Sequence, residues 1–216
     1  MSVCLKLGVA DLVLFVAVWS QAQGTFTVTF DGPPVLPPGT ARLVQYYSES
    51  GVWFLTMPGT DGFGRVAISP NPGRPDNGTA YVQASLGDSL MFGLEDGSSF
   101  DPVSVDLAEY STLFQQPLGV RFVGYRPDGS TVTANMTTDG IIDGTGPLAD
   151  VETFYFSRDF SGLTRVEIPL PLWSLDNLRL GIPEPGIGRV LLAGALLLLA
   201  SKARKSRPVL RTRPRL

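Results

Sequence analysis

The residue types that most often carry catalysis are nearly missing from this chain of 216 residues. It has no histidine and one cysteine, Cys4. That removes the Ser-His and Cys-His nucleophile arrangements, the commonest general base and the commonest zinc ligand. Chemistry is left to carboxylates. Asp106 and Glu109 are the pair that could carry glycoside hydrolysis, a reaction in which two carboxyl groups converge on one bond. Three residues apart on a strand, they should point to opposite faces. Solvation at an edge or loop is the simpler reading, and no catalysis is expected.

Binding has more material. Calcium takes oxygen ligands in loosely fixed geometry, so Asp31 and Asp176, near the two ends of the central region, could meet at one ion. The competing role is a short side chain capping a turn or strand end. Asp139, Asp143 and Asp150 fall in or beside the loop Asp139-Gly140-Ile141-Ile142-Asp143-Gly144-Thr145-Gly146. Their spacing does not match an EF-hand, and a solvated turn is expected. Tyr46, Tyr47, Trp53, Phe54 and Tyr81 could make a platform for sugar rings, or simply belong to the core. Val52 and Phe54 share one strand face, and Trp53 and Leu55 share the other.

The elements that must position these residues read as strands. Short apolar-polar alternations are separated by Gly, Pro, Asn and Asp, without long helical periodicity. Strands are expected at Thr25 to Phe30, Val52 to Thr56, Thr79 to Ala84, Ser89 to Leu94, Val103 to Tyr110, Glu152 to Phe156, Leu163 to Ile168 and Ser174 to Leu180. A hairpin is expected from Val120 to Thr138, turning at Arg126-Pro127-Asp128-Gly129-Ser130. Asp31 to Gly39 and Pro70 to Gly78 are too rich in Pro and Gly for regular structure and should be surface loops. The sum is one all-β domain, an antiparallel β-sandwich.

Charge divides the chain into parts with different surroundings. Residues 24–182 hold 8 Arg, no Lys and 18 Asp and Glu, a net charge of −10. Such a body is repelled by phosphate backbones, so no nucleic-acid partner is expected. Ahead of it, Lys6, the apolar run Leu12 to Trp19 and Ser20-Gln21-Ala22 form a signal peptide over residues 1–22, cut by signal peptidase before Gln23. Residues 23–181 are then the exported β-sandwich domain. Residues 182–216 bring Pro183-Glu184-Pro185, an apolar run from Val190 to Ala200 too short for an ordinary anchor, and the basic residues Lys202, Arg204, Lys205 and Arg207, with Arg189 placed to reach the membrane interface.

That order of Pro-Glu-Pro, apolar segment and basic cluster resembles the PEP-CTERM class of bacterial sorting signals. The resemblance implies an exosortase partner that recognises Pro183, Glu184 and Pro185, transient anchoring in the inner membrane, and delivery to the cell surface or extracellular matrix. The body segments Phe30-Asp31-Gly32, Ser104-Val105-Asp106-Leu107-Ala108-Glu109-Tyr110 and Ser174-Leu175-Asp176-Asn177-Leu178 resemble the jelly-roll domains often attached to this signal. Those domains are similar in shape to galactose-binding-like and carbohydrate-binding modules. This second likeness is architectural, not a sugar-site match, and implies adjacent first and last strands that often share a structural calcium; extracellular polysaccharide as a partner is what the sorting class implies. The expected function is a non-enzymatic surface or matrix protein, with a carbohydrate-binding module as the alternative and a small glycan hydrolase as a remote one. Intact-mass analysis in an exosortase-bearing host should find both ends removed. Replacing Pro183, Glu184 and Pro185 with alanine should leave the tail on; a tail retained by the wild type as well would make it an ordinary anchor.

Overall fold

Apolar-polar alternation becomes thirteen strands among the described residues of a computed structural model, which are 24–57, 62–67, 73–76, 78–85, 87–142 and 150–182. Residues 1–22, read from the sequence as a signal peptide, Pro183, Glu184, Pro185, the residues Arg189, Lys202, Arg204, Lys205 and Arg207, and Asp143 lie outside them. The strands are β1 (Gly24–Val28), β2 (Ala41–Val44), β3 (Tyr46–Glu49), β4 (Val52–Thr56), β5 (Phe63–Val66), β6 (Tyr81–Ala84), β7 (Leu90–Leu94), β8 (Asp101–Glu109), β9 (Gly119–Tyr125), β10 (Thr131–Thr137), β11 (Glu152–Tyr155), β12 (Arg165–Ile168) and β13 (Trp173–Ile182). A single 3-10 turn, Thr112–Phe114, follows β8. Among the described residues no helix is long and apolar enough to cross a membrane.

All pairings are antiparallel, in two sheets. The first runs β11-β8-β13-β6-β5-β2, with β1 also on β13, and the second runs β10-β9-β12-β7-β4-β3. Every strand expected from the sequence is present within a few residues. The chain also forms β2, β3 and β5, which pattern reading does not find. Their four-residue spans carry Arg42, Glu49 and Arg65, so the apolar period is interrupted.

The core lies between the sheets and is rich in aromatic rings. Phe30 meets Phe54 edge-on at 5.0 Å, Phe54 lies 5.8 Å from Phe92, and Phe92 lies 6.0 Å from Phe100. Phe156 bridges Phe122 and Phe160 at 5.1 and 4.9 Å. Trp173 is fully buried and donates its indole N–H to the Leu170 carbonyl at 2.5 Å. Burial of each such ring contributes about 1.5–3 kcal/mol, which suits a body whose cysteine count offers no disulfide.

One buried cation organises an edge of this core. Arg65, on β5, is 2% exposed. Its Nε donates to the Phe30 carbonyl at 2.8 Å and its Nη1 to the Pro34 carbonyl at 2.6 Å, while Nη2 reaches the Phe30 and Gly32 carbonyls. The guanidinium also lies 4.4 Å from the Tyr47 ring centroid. Glu49 takes the opposite polarity of the same segment, accepting from the Thr29 and Gly32 amides at 3.2 and 3.4 Å and from the Tyr47 hydroxyl at 2.6 Å. Burial first, and then this bond to Glu49, push the Tyr47 hydroxyl well above the usual tyrosine range. Phe30 holds φ +59°, a left-handed conformation that costs a bulky residue about 1–3 kcal/mol, and the bonds to its carbonyl keep it there.

Replacing Arg65 with Met should leave buried carbonyls without donors and lower stability by about 3–5 kcal/mol. Urea unfolding should show a lower midpoint with an unchanged slope. A loss under about 1 kcal/mol would mean that water reaches those carbonyls.

Candidate functional site

The first and last strands bring the two candidate calcium residues to one place. β13 pairs with β8 along one flank. On its other flank, Trp173–Leu175 pair with Ala84–Val82 of β6, and Leu178–Ile182 pair with Val28–Gly24 of β1. The hand-over falls at Asp176 and Asn177, where the register shifts and Asn177 adopts φ +45°. Asp31, just past β1, accepts from the Ala80 amide at 2.9 Å; Asp176 accepts from the Thr79 hydroxyl and the Asn177 amide, each at 2.7 Å. Both carboxylates thus clasp the segment that leads into β6, the turn-capping role. Among the described residues no group of three or more Asp, Glu, His or Cys is placed to hold a metal.

Asp106 and Glu109 occupy opposite faces of β8. Asp106 faces outward, accepting from Thr153 Oγ1 at 2.6 Å and Asn177 Nδ2 at 2.8 Å. Glu109 is 1% exposed and accepts from Thr138 Oγ1 and from the Gly140 amide at 2.7 Å. They do not converge on a common bond. Asp139 follows the solvated-turn expectation, accepting from the Ile141 amide at 2.8 Å. Asp150 departs from it: it is buried and accepts from the Asp76 amide.

The aromatic platform is not assembled. Tyr46 and Tyr47 are neighbours on β3 and therefore face opposite ways; Tyr46 is 56% exposed while Tyr47 is buried against Arg65. Trp53 is half-buried on the outer face of the second sheet, its indole N–H donating to the Leu94 carbonyl at 3.1 Å. It lies over Gly93, where a Cβ would come within 2.7 Å of the ring. Tyr81 is on the other sheet, 3% exposed, in a void of about 10 Å³ with Pro75, Ala108, Val151, Ser174, Leu175 and Asp176. Pro75 is buried, so part of the proline-rich segment read as a surface loop packs over β6 instead. Burial raises the Tyr81 hydroxyl above the usual range.

The same outer face of the first sheet carries a feature the sequence did not reveal. A groove of about 140 Å³ runs over β2, β5 and β6. Its floor is Ala41, Leu43, Gly64, Val66 and Gln83, and its walls are Arg42, Arg74, Ser85, Asp88 and Tyr110. Gly64 keeps the floor low, and Leu43 is 60% exposed beside it. Gln83 is fixed from below, donating to the Tyr110 carbonyl and Ser174 Oγ, both at 2.9 Å. Arg74 leans on Gln83 Oε1 at 3.4 Å. Asp88 turns one oxygen to the Ser85 amide and hydroxyl at 2.8 and 2.5 Å. The result is an open trough with an apolar strip, a planar cation, an amide, a carboxylate and a phenol ring. Such a set suits a ligand that presents hydroxyls and an apolar face together. It was invisible in sequence because the lining comes from β2 and β5, which were not expected, and from loops far apart in the chain.

The fold defines the chain as a two-sheet antiparallel β-sandwich. No protein-family model and no curated protein matches it. Two solved structures are similar to it at a TM-score of 0.30. One is the family 11 carbohydrate-binding module from Clostridium thermocellum in complex with a β-1,3-1,4-mixed-linked tetrasaccharide, at 10% identity over 65% of this chain and 94% of that one. The other is the CBM32 of AlyQ in complex with 4,5-unsaturated mannuronic acid, at 16% identity over 63% of this chain and 97% of that one.

Beside the buried Glu109, Glu152 accepts from the Asp139 amide at 3.1 Å, and its carboxyl is held above the usual range by burial first and then by Asp139. A raised folded-state pKa favours folding at low pH and loses that contribution as pH rises through the folded value. Glu152→Gln should therefore leave the melting temperature unchanged in acid and raise it slightly at neutral pH, by less than about 1 kcal/mol of stability. Calorimetry across the carboxylate range checks this, and a neutral-pH loss would reverse the assignment.

Proposed function

We propose that this chain is an exported, non-catalytic saccharide-binding β-sandwich that engages extracellular polysaccharide through the groove on the first sheet. The observation that carries the reading is the groove itself, with Arg74 and Gln83 set beside an open apolar strip. Its polar groups are held by the fold rather than recruited on binding, which lowers the ordering cost of a weak, extended ligand. The absence of histidine and the divergence of Asp106 and Glu109 support a binding role over hydrolysis. A jelly-roll type is supported by β1 and β13, the first and last strands, lying side by side. Export and exosortase sorting rest on the resemblance of the two ends to such signals, and in this reading they deliver the groove to the cell surface.

Affinity electrophoresis against neutral and uronate-containing polysaccharides tests the proposal. Arg74→Ala should weaken retention about tenfold or more, the loss of a charged hydrogen-bond donor. Trp53→Ala, on the opposite sheet, should leave retention unchanged. Loss on Trp53→Ala alone would move the site to the second sheet, and no retention on any glycan would sink the saccharide reading.

A further inference from the structure

The second sheet ends in an uncharged strand, β10. β10 pairs with β9 through the register Thr131↔Tyr125 to Thr137↔Gly119. Among the described residues its other side has no partner strand. The direction of its backbone groups follows from the bonds that bracket the ladder. The Arg126 amide donates to Ser130 at 2.9 Å and the Thr138 amide donates to Leu118 at 3.1 Å. In an antiparallel ladder bonded pairs alternate, so Val132, Ala134 and Met136 turn their amides and carbonyls toward β9. Thr131, Thr133, Asn135 and Thr137 turn theirs outward. Four N–H and four C=O groups therefore line an open edge about 20 Å long.

Natural edge strands are usually protected by charge, proline, bulges, brevity or cover. The other edges here follow that rule. β2 and β11 are four residues long and carry Arg42 and Glu152. β3 is equally short, and Glu49 ties it to the segment at Thr29 and Gly32. β1 is crossed by Arg179, whose Nη2 donates to Thr25 Oγ1 at 3.1 Å. β10 has seven residues with no charge, no proline and no bulge. Beneath it, Val132 and Ala134 are only partly buried where the core reaches the sheet's end.

We infer that β10 is a self-association edge at which two copies of this chain join antiparallel, continuing the six-stranded sheet across both molecules. The strand is complementary to itself. With a two-fold axis at Ala134, Thr133 faces Asn135 of the second copy and Thr131 faces its Thr137, so every outward residue meets an outward residue. The facing pairs are Thr with Thr and Thr with Asn, which are compatible across strands. The second copy also covers Val132 and Ala134, the apolar residues left half-open at this end. Asp128 and Asp139 are exposed just beyond the two ends of β10 and come opposite one another between copies. Added salt should therefore tighten the dimer by screening them.

The test uses the full chain in mild detergent, in a Cys4→Ser background. At the two-fold axis Ala134 would face its own copy in a non-bonded pair, with Cα atoms about 4.5 Å apart, within disulfide range. Ala134→Cys should thus give a disulfide-linked dimer on oxidation, while Thr133→Cys should not. Sedimentation should show a dimer that tightens with salt. Thr133→Pro removes an amide that points away from β9, a position where an edge strand tolerates proline. It should weaken association about tenfold or more, with an unchanged melting temperature at concentrations where both proteins are monomeric. Asn135→Lys should do the same and serves if the proline variant fails to fold. A monomer at every concentration, a dimer insensitive to both substitutions as association through the apolar ends would be, or crosslinking at residue 133 in place of 134 would each overturn the inference.

Discussion

The edge of the sandwich at which the chain enters the core depends on a guanidinium that is out of water and bonded to backbone. Arg65 supplies donors to the carbonyls of Phe30, Gly32 and Pro34, while Glu49 supplies acceptors to the amides of Thr29 and Gly32. An irregular segment carrying a left-handed Phe30 would otherwise bury polar backbone groups without partners, at about 1–3 kcal/mol each. With both polarities met, Phe30 can reach Phe54, and through it the row of rings that joins the two sheets. Asp31 then falls where its carboxylate meets the segment leading into β6, so the same interaction also sets the approach to the groove.

The two sheet faces divide their work in opposite ways. On the outer face of the second sheet Arg165 pairs with Glu167 at 3.0 Å and lies over Tyr125, whose hydroxyl donates to Glu167 at 2.7 Å. That bond is the first cause of the raised Tyr125 hydroxyl. On the first sheet the polar side chains converge on an open trough.

Much of the sandwich was legible because period-two patterning survives wherever both neighbours of a core residue are small or polar. Val120, Phe122, Val132, Ala134 and Met136 show it, and the turn at Pro127-Asp128-Gly129 closes the hairpin. β5 was not legible because one of its two inward residues is Arg65, beside Phe63, and the partners of Arg65 are carbonyls some thirty positions away. A lone Arg between Phe63 and Val66 was the only trace of it. Tyr46 and Tyr47 suggested a platform as a dipeptide, yet adjacency on a strand guarantees divergence. Asp31 and Asp176 do come to one place, where they accept from the Ala80 amide, the Thr79 hydroxyl and the Asn177 amide. The groove draws on β2, β5, β6 and three loops, a convergence that single-chain patterns cannot encode.

The position of β13 sets the order in which the molecule can be completed. It is a central strand of the first sheet, flanked by β8 on one side and by β6 and β1 on the other, yet it is the last strand among the described residues. Until residues 173–182 are free to move, β8 has an open flank, and β1 and β6 belong to no common sheet. Closing Gly24 onto Ile182 joins opposite ends of the body, the slowest kind of contact to form because its loop entropy is lost before any compensating burial. A chain emerging amino end first would therefore leave its first sheet incomplete until this strand had emerged.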